Sequence, residues 1–258
     1  MRLLIQKIIA IGGGEIGRPK EGGGFHPIET TLIDKEIIKI SNKKKPKVLF
    51  LPTASSDSSG YVSVVENYFK KKLGCKVDSL LLVKQNYSFK EIKEKILSSD
   101  IIYVGGGNTL KMLKIWKKFG VDKLLEKARE KGIVLSGLSA GAICWFKLGN
   151  SDSRKFKNKE ADYIKLKCLN FIPALLCPHF NKEKDREISL KKMMKKTSGV
   201  AIALDNCAAL EVIGDKARLI ASKQSAGGYK IFWLKNKFKK EELVKNKWID
   251  LAELVKKV

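Results

Sequence analysis

Short apolar, β-branched runs alternate along the chain with stretches whose apolar positions return every three or four residues. The first pattern suits a strand buried on both faces and the second a helix with one buried stripe; their alternation predicts a parallel sheet covered by helices. "KIIAI" predicts a first buried strand, followed by a glycine-rich loop and a helix near "TLIDKEIIKIS". "KVLFLPTAS" leads into a helix near "YVSVVENYFKKKLG", and "KVDSLLLV" into "FKEIKEKILSS". "DIIYVGGG" precedes one long helix, "NTLKMLKIWKKFGVDKLLEKAREKG", and "IVLSGL" precedes the helix "SAGAICWF". After a polar stretch at 150–163, "FIPALLCPHF" predicts a strand and "KDREISLKKMMKKTSG" a helix. "VAIAL", "AALEVIGDKARLI" and "YKIFWL" follow as strands, the middle one a hairpin turning at Gly214-Asp215. No Pro/Gly/Ser-rich linker and no internal repeat divides the chain. The expectation is one α/β domain over 1–258, a mostly parallel sheet sandwiched by helices with a C-terminal β-hairpin.

Charge raises a competing picture. Lys plus Arg number 52 against 27 Asp plus Glu, a formal net charge of +25, which brings nucleic acid or an anionic membrane to mind. The lysines are nevertheless spread through "NKKKPK", "FKKKLG", "SLKKMMKKT" and "KNKFKKEELVKNK", as on solvated helix faces and loops. No zinc-finger spacing, aromatic ribonucleoprotein motif or basic arm accompanies them, so no dedicated nucleic-acid site is expected. Five cysteines, an odd number, form no C-x-x-C pair, and there are only two histidines, His26 and His179. That set suggests reduced, mostly buried thiols in a cytoplasmic protein, with no metal site and no cofactor. Lys7 interrupts the apolar N-terminus and three glycines end it, so it reads as a strand and not as a signal peptide. Nothing approaches the roughly 20 apolar residues of a membrane span, and no membrane partner is expected.

Chemistry concentrates in a few places. Gly137-Leu138-Ser139-Ala140-Gly141 fits G-x-S-x-G between a buried strand and an apolar helix. A nucleophile on so sharp a turn needs small neighbours two residues to either side, and the helix N-terminus offers free amides where an oxyanion would form. Ser139 fits equally well as a plain N-cap of that helix. "YVGGGNTL" ends another strand and opens another helix at the same predicted sheet edge, so the Gly107 amide could join that of Ala140 at one oxyanion. His179, in "LLCPHFN", ends a third apolar strand and suits a general base. His26 lies in a glycine-rich loop and is read as non-catalytic. Gly12 to Gly17 match the dinucleotide pattern G-x-G-x-x-G, but Pro19 and three more glycines leave no helix for a pyrophosphate.

In this order, "VGGGNTL", "GLSAGA", "PHF" and "ALDNCAAL" resemble the peptidase E family of serine peptidases, which includes aspartyl dipeptidases and is related to cyanophycinase. The likeness runs from about residue 46 to 213, and "IIAIGGGEIGRP" resembles the bacterial branch with a longer N-terminus. The resemblance implies a glutamine amidotransferase-like fold and a small peptide as substrate, with a homodimer as the one assembly left open. It implies Ser139 as nucleophile, His179 as base and the Gly107 and Ala140 amides as oxyanion donors. Where the family carries a glutamate, this chain reads Asp205-Asn206, and either could orient the imidazole. Arg186, seven residues after His179, resembles the arginine that binds the substrate's aspartate in the aspartyl dipeptidases.

Overall fold

In the computed structural model, which describes residues 6–257, the first half of the chain builds an α/β sheet in the expected order. Its strands are β1 (Lys7–Ile11), β2 (Lys47–Leu51), β3 (Lys76–Ser79), β4 (Ile101–Val104) and β5 (Val134–Leu138). They pair in parallel as β1-β5-β4-β2-β3. The intervening helices are α1 (Thr31–Ile40), α2 (Ser59–Asn67), α3 (Phe89–Leu97), α4 (Thr109–Phe119) and α5 (Val121–Glu130). Side chains alternate across each strand, so "KIIAI" sends Ile9 and Ile11 into one apolar layer and Ile8 and Ala10 into the other. The first layer is closed by Ile33 and Ile37 of α1 and by Val65 and Phe69 of α2 and its continuation. The second is closed by α3, α4 and α5 through Ile92, Trp116 and Leu125. No helix among the described residues is long and apolar enough to cross a membrane.

The second half does not simply extend this sheet. Beside β1 the sheet continues antiparallel through β10 (Ala208–Ile213), β11 (Lys216–Ala221) and β14 (Ile249–Asp250), which leads into α8 (Leu251–Leu254). β10 and β11 form the expected hairpin, closed at Gly214-Asp215 between the paired Ile213 and Lys216. A second sheet, ordered β13-β12-β9-β8-β6-β7, holds β6 (Phe146–Ser151), β7 (Ile164–Lys167), β8 (Ile172–Cys177), β9 (Ala201–Leu204), β12 (Gly228–Leu234) and β13 (Lys237–Glu242). One face of it, with Phe146, Leu176 and Ile202, packs into the same apolar cluster as Ile8 and Ile102 of the first sheet. α7 (Lys184–Lys195) covers its other face through Leu190 and Met194.

Three local expectations change. The long helix after β4 is two helices, because Gly120 adopts a left-handed φ of 68° and caps the first of them. The helix after β5 is a single turn, α6 (Ala140–Ile143). It ends because the carbonyls of Cys144 and Trp145 accept amides of residues 169, 171 and 172, which starts β6 instead. "KNKFKKEELVKNK" contains strand β13, hairpinned to β12 through Lys235 and Asn236, both left-handed as a two-residue type I′ turn requires. The density of charges hid a strand whose side chains are mostly exposed.

The antiparallel extension beside β1 contains a fully buried carboxylate. Glu211 on β10 lies opposite Arg218 on β11, whose Nε donates to it at 2.6 Å while Nη2 reaches Glu36 of α1 at 3.0 Å. Burial pushes the Glu211 carboxyl above its ordinary range, and the guanidinium opposes that rise. Removing the cation alone leaves a buried charge without a partner. Arg218→Met is expected to destabilise the protein by about 2–4 kcal/mol, the upper range being discounted for the partial exposure of Arg218. Adding Glu211→Gln should restore more than half of the loss in urea unfolding.

Candidate active site

Ser139 stands between β5 and α6 at φ 56° and ψ −109°, a conformation L-residues rarely adopt. Its side chain makes no capping bond to the helix, which removes the N-cap reading. The turn exists because its neighbours have no side chains. A Cβ on Gly141 would lie 2.1 Å from the Val104 carbonyl oxygen, and one on Gly137 2.5 Å from the Gly141 oxygen.

His179 follows β8, also at positive φ, and its Nε2 lies 2.8 Å from Ser139 Oγ. Its Nδ1 lies 2.7 Å from Asn206 Oδ1. An amide oxygen only accepts, so Nδ1 carries the ring proton and Nε2 is left to accept the serine hydroxyl. Burial holds the imidazole below its ordinary pKa, and the bond to Asn206 opposes that shift. Of the two residues left open as orienter, it is therefore Asn206 that meets His179. Asp205 turns away: its Oδ2 accepts the Gly227 amide at 2.9 Å, and burial raises its pKa. Successive side chains at this strand end point to opposite sides, which is why only one of the pair reaches the ring.

All three residues hang on one short piece of backbone. The carbonyls of Ile11, Gly12 and Gly13 accept, in that order, the amides of Ser139 (3.0 Å), His179 (3.0 Å) and Cys207 (2.8 Å), the residue after Asn206. Such close approach excludes side chains here. A Cβ on Gly13 would sit 2.1 Å from Asn206 Oδ1 and 2.3 Å from His179 Nδ1. The N-terminal glycines that imitate a dinucleotide motif thus form the floor beneath the serine, histidine and asparagine. Their position at the end of a central strand was the available signal.

The other signals converge less evenly. Gly106 packs beside Ser139, with its would-be Cβ 3.5 Å from the serine Cβ, and its amide donates to Tyr61 Oη at 3.2 Å. Gly107 has φ 135°, and a Cβ there would strike the Ala54 carbonyl oxygen at 2.4 Å. Among the described residues, neither the Gly107 amide nor that of Ala140 has a protein acceptor. An open cleft of about 1190 Å³ lies over Ser139, with Gly107, His179 and Asn206 in its floor and Tyr61 and the loop from Gly14 to His26 in its walls. Tyr61 was not singled out from sequence, and the loop was weighed as a dinucleotide motif and as a mark of the family branch, not as a wall of the site. His26 lies at the edge of the cleft, and its side chain is not bonded to the serine or histidine.

Arg186 requires correction. It was expected to hold a substrate carboxylate, yet it is 1% exposed and absent from the cleft wall. Its Nε donates to Glu183 at 2.7 Å and its Nη1 to the Asn150 carbonyl at 2.9 Å, while Asp152 lies 3.7 Å from Nη2 and the Tyr163 ring stacks 4.7 Å away. The one-turn separation from Glu183 at the start of α7 folds the guanidinium inward, where protein groups consume its donors.

The model of peptidase family S51 matches residues 21–220. Over 229 residues the chain is 35% identical to the uncharacterized peptidase YgaJ of Bacillus subtilis, covering 88% of this chain and 92% of that one. It is 25% identical over 200 residues to peptidase E of Shewanella denitrificans, covering 73% and 80%. The crystal structure of a peptidase from an acI-B1 Actinobacterium superposes with a TM-score of 0.72 at 20% identity, covering 96% of this chain and 98% of that one, a likeness of fold. This chain belongs to peptidase family S51.

Proposed function

We propose that the protein is a serine-dependent peptidase that hydrolyses small peptides through an acyl-enzyme on Ser139. The observation that carries the reading is the continuous chain Ser139 Oγ to His179 Nε2 to His179 Nδ1 to Asn206 Oδ1, at 2.8 and 2.7 Å. Ser139 attacks the scissile carbonyl as its proton passes to Nε2. The amides of Gly107 and Ala140 receive the oxyanion, and collapse expels an amine that takes the proton from His179. Water, deprotonated by the same nitrogen, then hydrolyses the ester and frees Ser139.

A second reading, a protein that binds a small ligand with little turnover, is favoured by one feature. Asn206 stands where a carboxylate is expected, and an amide stabilises the imidazolium less than a carboxylate does. The two readings differ in covalent chemistry. A fluorophosphonate should label the wild type and not Ser139→Ala, and the same change should lower peptide hydrolysis by about four orders of magnitude or more. The thermal midpoint should hardly move, since only one oxygen is lost. Failure to label the wild type would favour the binding protein.

The orienter is read by pH. Because burial depresses the His179 pKa, the neutral base persists below the usual 6.5 of a free imidazole, and the acid limb of kcat/KM should fall below that value. Asn206→Asp places an anion on Nδ1 and should move this limb upward by at least about one pH unit. Asn206→Ala should cost roughly 10²–10³ in kcat/KM, whereas Asp205→Ala should cost less than about tenfold. Equal losses from the two alanine variants would refute the assignment.

Gly13→Ala tests the floor. Its methyl group must displace either the His179 ring or the Asn206 amide, so kcat/KM should fall roughly 10²-fold, since misplacement of about 1 Å is enough to do so. The variant should keep a folded circular dichroism spectrum.

A further inference from the structure

With Arg186 closed off, the guanidinium that faces the cleft above Ser139 is that of Arg18. It lies on the loop between β1 and α1, which doubles back on itself through bridges between Ile16 and Ile28 and between Pro19 and Phe25. The His26 amide donates to the Arg18 carbonyl at 2.8 Å, so the backbone bearing the side chain is tied to the returning strand. The side chain itself is 59% exposed. Its Nε donates to Glu15 Oε2 at 2.9 Å, and Nη2 meets the other oxygen of the same carboxylate. Glu15 is held in turn by its own amide, which donates to Glu29 at 3.0 Å. One edge of the fork is thus fastened to Glu15. Among the described residues, Nη1 has no protein acceptor, which leaves donors free on a side chain that lines the cleft.

We propose that Arg18 is the residue of this cleft that binds a carboxylate of a short peptide, either an acidic side chain or the free C-terminus, on the guanidinium donors that Glu15 leaves open. The assignment rests on the reading of the cleft over Ser139 as a peptide site. A planar fork held by one carboxylate is already oriented for another, so less side-chain freedom is lost on binding. Lys20, the other lining residue with a fixed positive charge, offers only a point charge on a flexible stem. The lining also sets Arg18 and Lys20 against Glu15 and Glu21, a balance that suits a zwitterionic short peptide better than a polyanion, despite the +25 net charge of the chain. Arg18 lies on the loop between β1 and α1, just before the segment matched by the family model, which begins at residue 21.

Calorimetric titration of the Ser139→Ala protein with Asp-Leu, Asn-Leu and Asn-Leu amide tests the proposal without turnover. At least one acid should bind about tenfold or more tightly than the amide, the order expected for a charge-assisted bond. A preference for Asp-Leu over Asn-Leu identifies the side chain, and equal binding of the two acids identifies the C-terminus. In either case Arg18→Gln should bring the ratio close to one, and Arg18→Lys should restore part of it. The proposal is overturned if none of the three peptides binds, if the amide binds as tightly as the acids, or if the preference survives Arg18→Gln. Labelling by fluorophosphonate reports separately on the nucleophile. A labelled protein whose preference ignores Arg18 rejects this inference alone, while an unlabelled protein whose preference depends on Arg18 rejects only the catalytic reading.

Discussion

Three successive carbonyls at the end of β1 organise the site. Ile11, Gly12 and Gly13 each accept one amide, and the donors are Ser139, His179 and the residue that follows Asn206. Ser139, His179 and Cys207 all have positive φ, at 56°, 54° and 67°. Each such residue costs on the order of 1–3 kcal/mol in isolation and persists only where the surroundings over-determine it. Here the surroundings are a central strand, buried on both faces and paired to β5 on one side and β10 on the other. The strain is held by a buried strand that is hydrogen-bonded along both edges. Side chains from segments 40 and 27 residues apart therefore arrive within hydrogen-bond distance of one another.

Charge is handled differently in different layers. Most of the lysines stand in solvent, where pairs contribute little. Inside, the protein keeps a few cations with dedicated anions. Arg218 joins β11 to β10 and to α1, and Arg186 joins the start of α7 to β6 and, through Glu183, to Tyr163. The second cluster lies close behind His179, since the amide of Glu183 itself bonds to the His179 carbonyl. Arg186 therefore contributes to how the histidine loop is held, a structural role for a residue whose neighbourhood in the sequence suggested contact with substrate.

The alternation of apolar runs was enough to place β1, β2, β4, β5, β8 and β9 and most helices, because a strand buried on both faces has no polar positions to confuse its pattern. β13 was hidden because an edge strand with a solvated face needs no apolar pattern. The helix after Ser139 was overestimated for the opposite reason: "AICWF" is apolar throughout, and such a run is compatible with either element until neighbours claim its carbonyls.

Ser139, His179 and the glycine runs were legible because sharp turns and close backbone contacts demand particular residue types, whatever the rest of the fold. Small residues around Ser139 reveal the turn in one dimension. Which of Asp205 and Asn206 faces the imidazole, and whether Arg186 points to solvent or to Glu183, depends on the direction of a side chain relative to elements far away in the chain. A single sequence carries no such direction. It named the chemical groups, and only the packing of two sheets around the end of β1 decided which of them share a hydrogen bond.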